Sequence, residues 1–327
     1  MADWLVEEGI GEERAVLVHH EQIIAARLHW PGGLTAGQVE DAKLVSRRAG
    51  QPRGTARFAS GEEALVDRLP RFATEGAIIR LEITRAAMPE SGRRKLARAQ
   101  PTDKPLQGAP SLTQQLALTG HPVRTARRFP AALGWDELWQ EAREGHVTFG
   151  NGALLFHHTP AMTLIDIDGE DDPAFLARAA IPPLAKALRR FDISGNIGID
   201  FPTISDKAGR KTINAALAEA LADWPHERTA MNGFGFVQLI AKAERPPLLA
   251  LLAHNPAGAA ARHLLRAAEG LEGAGTILIT CPAPTAAALR PDWLDQLQRR
   301  MGRPVRLAVQ QDRLDPGLGH TQLVGHE

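Results

Sequence analysis

Apolar and polar residues alternate over several short stretches of this chain, which is the pattern of half-buried β-strands. The most regular example runs from Met162 to Phe201, where two apolar stretches rich in β-branched residues are each bounded by glycine. The first stretch contains Asp166 and Asp168, and the second contains Asp200. Because successive side chains on a strand point to opposite faces, Asp166 and Asp168 are predicted to share one face of the first strand.

The residues between these two strands predict a helix. Asp172-Pro173 is typical of a helix start, with proline in the first turn. Pro182-Pro183 is expected to break this helix, and a second helical segment is expected to run to Phe191. A strand, a helix and a strand joined by a compact crossover indicate an α/β unit.

The same patterning divides the rest of the chain. Residues 1 to about 35 predict a strand hairpin, and short strands punctuated by glycine from 36 to 100 predict a small barrel or sandwich. The polar segment from Pro89 to Gln114 predicts a loop or linker. After a second linker at 254–258, the tail predicts two helices and two strands in a small α/β domain.

Composition narrows the function classes. The 327 residues are 44% hydrophobic and 23% charged, which suits a globular protein of two or more domains. The 38 basic and 38 acidic side chains balance, so affinity for nucleic acid must come from local patches. A single cysteine, Cys281, excludes a disulfide scaffold and a cysteine-based zinc site within one chain. Neither a secretory signal nor an apolar run of membrane-spanning length is present, so a cytoplasmic protein without a membrane partner is expected.

The three aspartates are the main candidates for chemistry. If their strands are neighbours, Asp166, Asp168 and Asp200 converge, and two carboxylates about 4 Å apart repel by roughly 4 kcal/mol at an effective dielectric constant near 20. A divalent cation turns this repulsion into a binding site, and ligands that are all oxygen favour a hard ion such as Mg²⁺. The alternative is that Asp168 and Asp200 only cap the segments that follow their strands.

Two other segments are candidates for phosphate contacts. Arg124 and Thr125 together suit a phosphate, through a charge-assisted fork and a hydroxyl, and they suit a surface turn equally well. Lys207, Arg210 and Lys211 fall at a helix start after the second aspartate strand, where they form either a contact for a polyphosphate backbone or a solvated face. No glycine-rich nucleotide-binding motif follows any strand.

In order and spacing, these motifs resemble the catalytic core of the ribonuclease E/G family. The matching segments are TPAMTLIDID, GNIGIDFPTISDKAGRK and MNGFGFVQLIAKAERPPL, and the likeness is strongest over residues 150 to 247. Family members carry a strand ending in T-E-A-L-x-x-I-D-x-N, a second strand ending in I-D-F, and a later G-L-x-E-x-x-R-x-R-x-S-L segment. Weaker likeness extends to the segment GHPVRTA, to residues 36–100 and to the tail after residue 259.

The resemblance implies a Mg²⁺-dependent endoribonuclease, also served by Mn²⁺, that cleaves single-stranded RNA in RNA processing or decay. Asp166 and Asp200 would be the metal ligands, and Asp168 would stand where the family has an asparagine that helps to orient the attack. The resemblance also implies that Arg124 and Thr125 sense a 5′-monophosphate on RNA. Phe58 matches one of the family's RNA-stacking aromatic residues.

The implied fold is an α/β multidomain protein with an RNase H-like or DNase I-like mixed-sheet catalytic core. An inserted, degenerate OB-fold domain and a small C-terminal α/β domain complete it. The implied domains are 1–35, N-terminal strands of the RNase H-like part; 36–100, the degenerate OB-fold domain; 101–160, a linker, a trimmed 5′-sensor element and the return to the RNase H-like part; 161–247, the aspartate-bearing catalytic domain; 248–258, a linker; and 259–327, the small α/β domain.

The chain also departs from the family pattern. The segment between Asp168 and Asp200 is short, and the extra charge of Asp168 either tightens metal binding or repels phosphate. The segment HNPAGAA replaces the paired-cysteine zinc link, so neither zinc nor a zinc-linked assembly is expected, and the subunit number is open. Two alternatives remain: an RNA-binding relative without cleavage that acts in RNA or ribosome maturation, and a Mg²⁺-dependent phosphoesterase with a non-RNA substrate.

Overall fold

The structure is a computed structural model that describes residues 2–47, 50–90, 93–310 and 318–325. Within these ranges, strands and helices mix along the chain, which confirms the α/β class. The strands are β1 (Asp3–Glu8), β2 (Glu13–His19), β3 (Gln22–His29), β4 (Val39–Arg47), β5 (Gly54–Arg57), β6 (Glu63–Val66), β7 (Ile78–Arg85), β8 (Met88–Glu90), β9 (Arg93–Lys95), β10 (Ala97–Pro101), β11 (Val123–Thr125), β12 (His146–Phe149), β13 (Gly152–His158), β14 (Thr163–Gly169), β15 (Gly195–Asp200), β16 (Glu227–Arg228), β17 (Phe236–Ala241), β18 (Thr276–Pro282), β19 (Val305–Gln310) and β20 (His320–Val324). The helices are α1 (Leu112–Leu116), α2 (Trp135–Glu144), α3 (Pro173–Arg190), α4 (Lys207–Ala220), α5 (Leu248–His254), α6 (Pro256–Glu269), α7 (Ala283–Ala288) and α8 (Pro291–Met301).

A six-stranded mixed sheet contains both aspartate strands. Its strand order is β12-β13-β14-β15-β17-β16, and β14 and β15 are parallel neighbours. Helix α3 makes the crossover between them, as the sequence predicts. Ile165, Ile167, Ile197 and Ile199 are buried in the same core as the apolar residues of α3, so this helix covers one face of the sheet.

The prediction that Pro182-Pro183 breaks the crossover helix is wrong, because α3 continues through both prolines to Arg190. A proline inside a helix costs about 3 kcal/mol, since it removes a backbone donor and crowds the preceding turn. Leu184 and Leu188 are fully buried beyond the prolines. Burial of this apolar surface offsets the local cost of the prolines. A prediction from the Pro182-Pro183 dipeptide alone does not include this burial.

The N-terminal strands form a second sheet, in the order β11-β1-β2-β3, and the predicted hairpin is confirmed as β2 and β3. One face of this sheet packs on the main core through Val16 and Leu28, so α3 lies between two sheets. The other face is covered by α1, where Leu112 and Leu116 are buried. Because β11 joins this sheet next to β1, the barrel described below is inserted between β3 and β11.

The segment predicted to be a small barrel or sandwich is a closed barrel of five strands, in the order β10-β6-β5-β4-β7, with its own apolar core. Its last strand, β10, lies inside the range 89–114 that is predicted to be a loop, and so does the hairpin β8–β9 apart from Met88. Only Ala97 and Ala99 of β10 are buried. Small inward residues among polar neighbours give too weak an alternation to predict a strand.

The C-terminal domain has a three-stranded sheet, β19-β18-β20, packed against α6, α7 and α8. The linkers predicted at 248–258 and 254–258 are wrong, because α5 and the first turn of α6 occupy these residues. Asn255 caps α6 by accepting a hydrogen bond from the backbone N–H of Gly258, and Pro256 takes the first helical position. None of the helices in the described ranges is both long enough and apolar enough to cross a membrane.

Candidate active site

Asp166 and Asp200 lie side by side on the six-stranded sheet. They are register partners in the parallel pair β14 and β15, so their side chains project from the same face. That face is opposite to the one that α3 covers, since Ile165 and Ile199 point into the core. Asp166 is half-buried and Asp200 is exposed. The structure therefore brings these two predicted carboxylates together on the open face, towards the carboxyl ends of the parallel strands.

The pair carries uncompensated negative charge. Partial burial raises the pKa of Asp200, and repulsion by the Asp166 carboxylate raises it further. Neither side chain forms an ion pair with any Lys, Arg or His in the described part of the chain. Either a proton or a cation would relieve the repulsion between them.

Asp168 takes a different position. It follows Asp166 on the same face of β14, opposite Ala153 of β13 and past the last residue of β14 that pairs with β15. Its Oδ1 accepts a hydrogen bond of 2.9 Å from the backbone N–H of Gly169. Over the described residues, no group of three or more His, Cys, Asp or Glu side chains is arranged to hold a metal ion. Asp168 is therefore not gathered with the other two into a three-residue centre.

A pair of carboxylates is nevertheless a suitable donor set for Mg²⁺. This ion is usually held by one or two carboxylates and completes its shell with water and substrate phosphates. Asp166 and Asp200 supply two oxygen ligands on an open surface, where partial burial and the like charge of Asp166 raise the pKa of Asp200. These residues fit a magnesium ion.

An apolar patch lies beside the pair. Phe236 of β17 is the register partner of Asp200, and its ring packs over Gly198 together with Met162. A Cβ atom at Gly198 would lie 2.5 Å from Phe236 Cζ and 2.9 Å from Met162 Sδ, so only glycine lets both side chains rest on the sheet. An isolated glycine within a strand is the sequence signal for such close approach.

Phe234 is a candidate that the sequence analysis missed. It lies in the turn between β16 and β17, and 81% of it is exposed. Asn232 Oδ1 accepts hydrogen bonds from the backbone N–H groups of Phe234 and Phe236, at 2.9 and 3.0 Å, and so shapes the turn. The Asn232-Gly233 dipeptide is a turn signal that separates this residue from the strand. An exposed ring in this place suits stacking with a nucleic-acid base.

The predicted basic residues of α4 differ in their availability. Lys207 and Lys211 are exposed near the start of this helix, which follows β15. Arg210 donates from Nη1 to the backbone oxygens of Ile204 and Ser205, at 2.6 and 2.8 Å. The two lysines are therefore the better placed to contact a phosphate backbone, while Arg210 holds the loop that leads from β15.

Arg124 and Thr125 lie on the other sheet. They are successive residues of β11, so their side chains project to opposite faces. Arg124 Nη2 forms an ion pair with Asp3 Oδ2 at 2.6 Å, whereas Thr125 lines a groove with Arg127 and Arg128. The structure does not bring the predicted guanidinium and hydroxyl to one face.

Phe58 is 3% exposed and packs in the core of the barrel. This corrects the expectation that its ring stacks on RNA, because the residue after β5 turns inward rather than out to solvent. Phe72 is the more accessible ring on this domain, with 86% of it exposed in the loop between β6 and β7.

Helix α4 packs against α3 on the covered side of the sheet, so Lys207 and Lys211 lie at the start of a helix that does not belong to the open face. The open face itself combines two carboxylates and an apolar patch with an exposed ring nearby. Such a surface suits a ligand with both phosphates and flat apolar groups. No family model matches this chain, and a search of curated proteins finds no match either.

Proposed function

We propose that this protein is a Mg²⁺-dependent endoribonuclease that hydrolyses phosphodiester bonds of single-stranded RNA in RNA processing or decay. The observation that carries the proposal is the in-register pairing of Asp166 and Asp200 on an uncovered sheet face. The resemblance of the two aspartate motifs to those of the ribonuclease E/G family supports RNA as the substrate. We expect Mn²⁺ to replace Mg²⁺ in this role.

Asp166 and Asp200 would hold the ion, which when bound supplies an activated water and offsets negative charge on the scissile phosphate. Without a cation, the raised pKa of Asp200 lets one of its carboxylate oxygens retain a proton at a higher pH than an ordinary aspartate. Lys207 and Lys211 would contact phosphates further along the RNA, past the end of β15, and Phe234 would stack on a base. Asp168 would adjust the charge next to the pair without holding the ion.

The architecture supports the same proposal. We propose that the six-stranded sheet with α3 and α4 is an RNase H-like core and that the barrel is a degenerate OB-fold. Two observations support this: the barrel has five strands, as an OB-fold does, and it interrupts the N-terminal sheet between β3 and β11. Since Phe58 is buried, contact of the barrel with RNA would depend on other residues. Phe72 is a candidate, because its ring is exposed.

The test is cleavage of a single-stranded RNA oligonucleotide that carries a 5′-monophosphate, with Mg²⁺, with Mn²⁺ and with EDTA. The wild-type protein is expected to release fragments with 5′-phosphate and 3′-hydroxyl ends only when a metal ion is present. Asp200→Asn is expected to slow cleavage by about 100-fold or more, as for loss of a group that stabilises transition-state charge.

Asp295→Asn is the matched control, because it removes an exposed carboxylate of α8 in the C-terminal domain. Its cleavage rate should equal that of the wild type. A wild-type protein that binds the RNA and leaves it intact with both metal ions would overturn the proposal in favour of a non-cleaving RNA-binding protein.

A further inference from the structure

A histidine stands on the open face close to the aspartate pair. His157 belongs to β13, where Leu154 and Phe156 point into the core, so its side chain projects from the open face. Its register partner on β14 is Leu164, two residues before Asp166. Diagonal neighbours of this kind on an antiparallel pair are about 7–8 Å apart, a distance that aromatic and long side chains can span.

The imidazole of His157 is available to a ligand. It is exposed, and it has no hydrogen bond, ion pair or ring contact in the described part of the chain. The next residue, His158, points to the other face, where its Nε2 lies 3.2 Å from the backbone oxygen of Pro89. Among the described residues, His157 is not gathered with Asp166 and Asp200 into a set that could hold a metal ion. It therefore faces the pair from a distance that leaves room for a substrate between them.

The proposed hydrolysis needs a proton donor that the aspartate pair does not supply, because carboxylates that hold a metal ion are deprotonated. Products with a 5′-phosphate and a 3′-hydroxyl arise when the bond between phosphorus and the 3′-oxygen breaks. That oxygen departs as a strongly basic alkoxide unless it is protonated. A side chain that transfers a proton in the transition state contributes about 10²- to 10⁴-fold to the rate, and histidine is used most often.

We propose that His157 is a catalytic acid that protonates the 3′-oxygen of the departing strand, an inference that rests on the proposed function. A water oxygen forms a bond to phosphorus while the bond from phosphorus to the 3′-oxygen breaks. The electron pair of the broken bond stays on the 3′-oxygen, which takes a proton from the imidazolium of His157. The attacking water loses a proton to solvent, and the neutral imidazole regains one from solvent.

A second histidine on the same face offers a matched comparison. His146 of β12 lies opposite Leu155, which is the register partner of Asp166, so a whole strand separates His146 from the pair. Two strand spacings place it about 10 Å from Asp166. Like His157, it is exposed and has no partner in the residues that the structure describes. The two histidines share a face and differ in their distance from the aspartates.

The test compares two single-stranded RNAs that differ at one mapped cleavage site, where the bridging 3′-oxygen is either kept or replaced by sulfur. A thiolate departs without protonation, so the sulfur substrate does not need the acid. With Mn²⁺ as the metal ion, His157→Asn is expected to slow cleavage of the oxygen substrate by about 100-fold and to leave the sulfur substrate nearly unchanged. His146→Asn should match the wild type on both substrates.

RNA binding gives a second readout. Fluorescence anisotropy of labelled RNA in EDTA should give the same affinity for the wild type and both variants, because the acid acts on the departing oxygen. An unchanged cleavage rate in His157→Asn, an equal loss on the two substrates, or a loss of RNA affinity that accounts for the slower cleavage would overturn the role of His157 and leave the aspartate pair intact. A wild-type protein that cuts neither substrate overturns the proposed function and this inference together.

Discussion

The two faces of the strand pair β14 and β15 serve different purposes. On one face, Ile165, Ile197 and Ile199 are fully buried beneath α3. On the other, Asp166 and Asp200 stand next to each other without a covering helix. Because side chains alternate along a strand, the residues that anchor the sheet and the residues that carry charge are immediate neighbours in sequence. The comparison teaches that burial of one face holds the carboxylates of the other in register.

A comparison with the N-terminal sheet shows what structural charges look like in the same molecule. That sheet is covered on both faces. Its buried Arg14 has Nη2 3.3 Å from Glu7 Oε1 and Nη1 3.2 Å from Glu12 Oε1. Buried charges of opposite sign are paired there, as a stable interior requires. In contrast, Asp166 and Asp200 are neighbouring side chains that carry charge of the same sign.

The largest expected effect is a difference in RNA cleavage rate between variants of the two aspartates of β14. Asp166→Asn should reduce the rate of RNA cleavage by about 100-fold or more, because it removes one of the two paired carboxylates. Asp168→Asn should change it by less than about tenfold, since this side chain is turned towards the Gly169 amide and is not part of the pair. Single-turnover cleavage at saturating Mg²⁺ measures both. Equal losses would mean that three carboxylates act together, which would break the distinction.

A substitution on the covered face should change the stability of the protein instead of the chemistry of the site. Leu184→Ala in α3 is expected to lower the free energy of unfolding by about 2–5 kcal/mol, because Leu184 is fully buried between the two sheets. The matched control is Leu118→Ala, at a side chain that is almost fully exposed, with an expected change within about 0.5 kcal/mol. Urea denaturation measures both variants. Similar changes in the two would contradict the assignment of this face as the core.

The smallest expected effect is a change in the free energy of unfolding when a charge on the open face is removed. Without metal at pH 7, Asp200→Asn should stabilise the fold by about 0.2–1 kcal/mol, the range for directly opposed like charges on a sheet. The pKa of Asp200 is raised in the folded state, so ionisation opposes folding above that pKa. Below the pKa of an unfolded aspartate, about 3.9, the group is protonated in both states and the gain should vanish. A gain that persists unchanged at pH 3, or a loss at pH 7, would contradict this reading of the pair.

Much of the candidate site follows from the sequence because it depends on local alternation. The glycine-bounded stretches around Asp166 and Asp200 predict both strands and the face of each carboxylate, and the structure has both strands. The Asp172-Pro173 start of α3 is likewise local. What could not be read from the residues is that Asp168 lies past the last pairing with β15, because this depends on where the partner strand ends.

The failures share a cause, which is tertiary context overriding a local signal. Pro182-Pro183 breaks an isolated helix, but α3 is held between two sheets. Asn255-Pro256 signals a turn as well as a helix start, and the burial of apolar residues in α6 favours the helix start. Phe58 has the right residue type for stacking, but its direction is set by the barrel core. Local propensity is a weak prior where packing dominates.

Metal binding tests the central claim most directly. Mn²⁺ titrated into the protein, with the free ion followed by electron paramagnetic resonance, reports the site without any RNA. The wild type is expected to bind one ion per chain in competition with Mg²⁺, Asp168→Asn is expected to retain it, and the double variant Asp166→Asn, Asp200→Asn is expected to lose it. Wild-type binding no stronger than that of the double variant would contradict a metal site at this carboxylate pair.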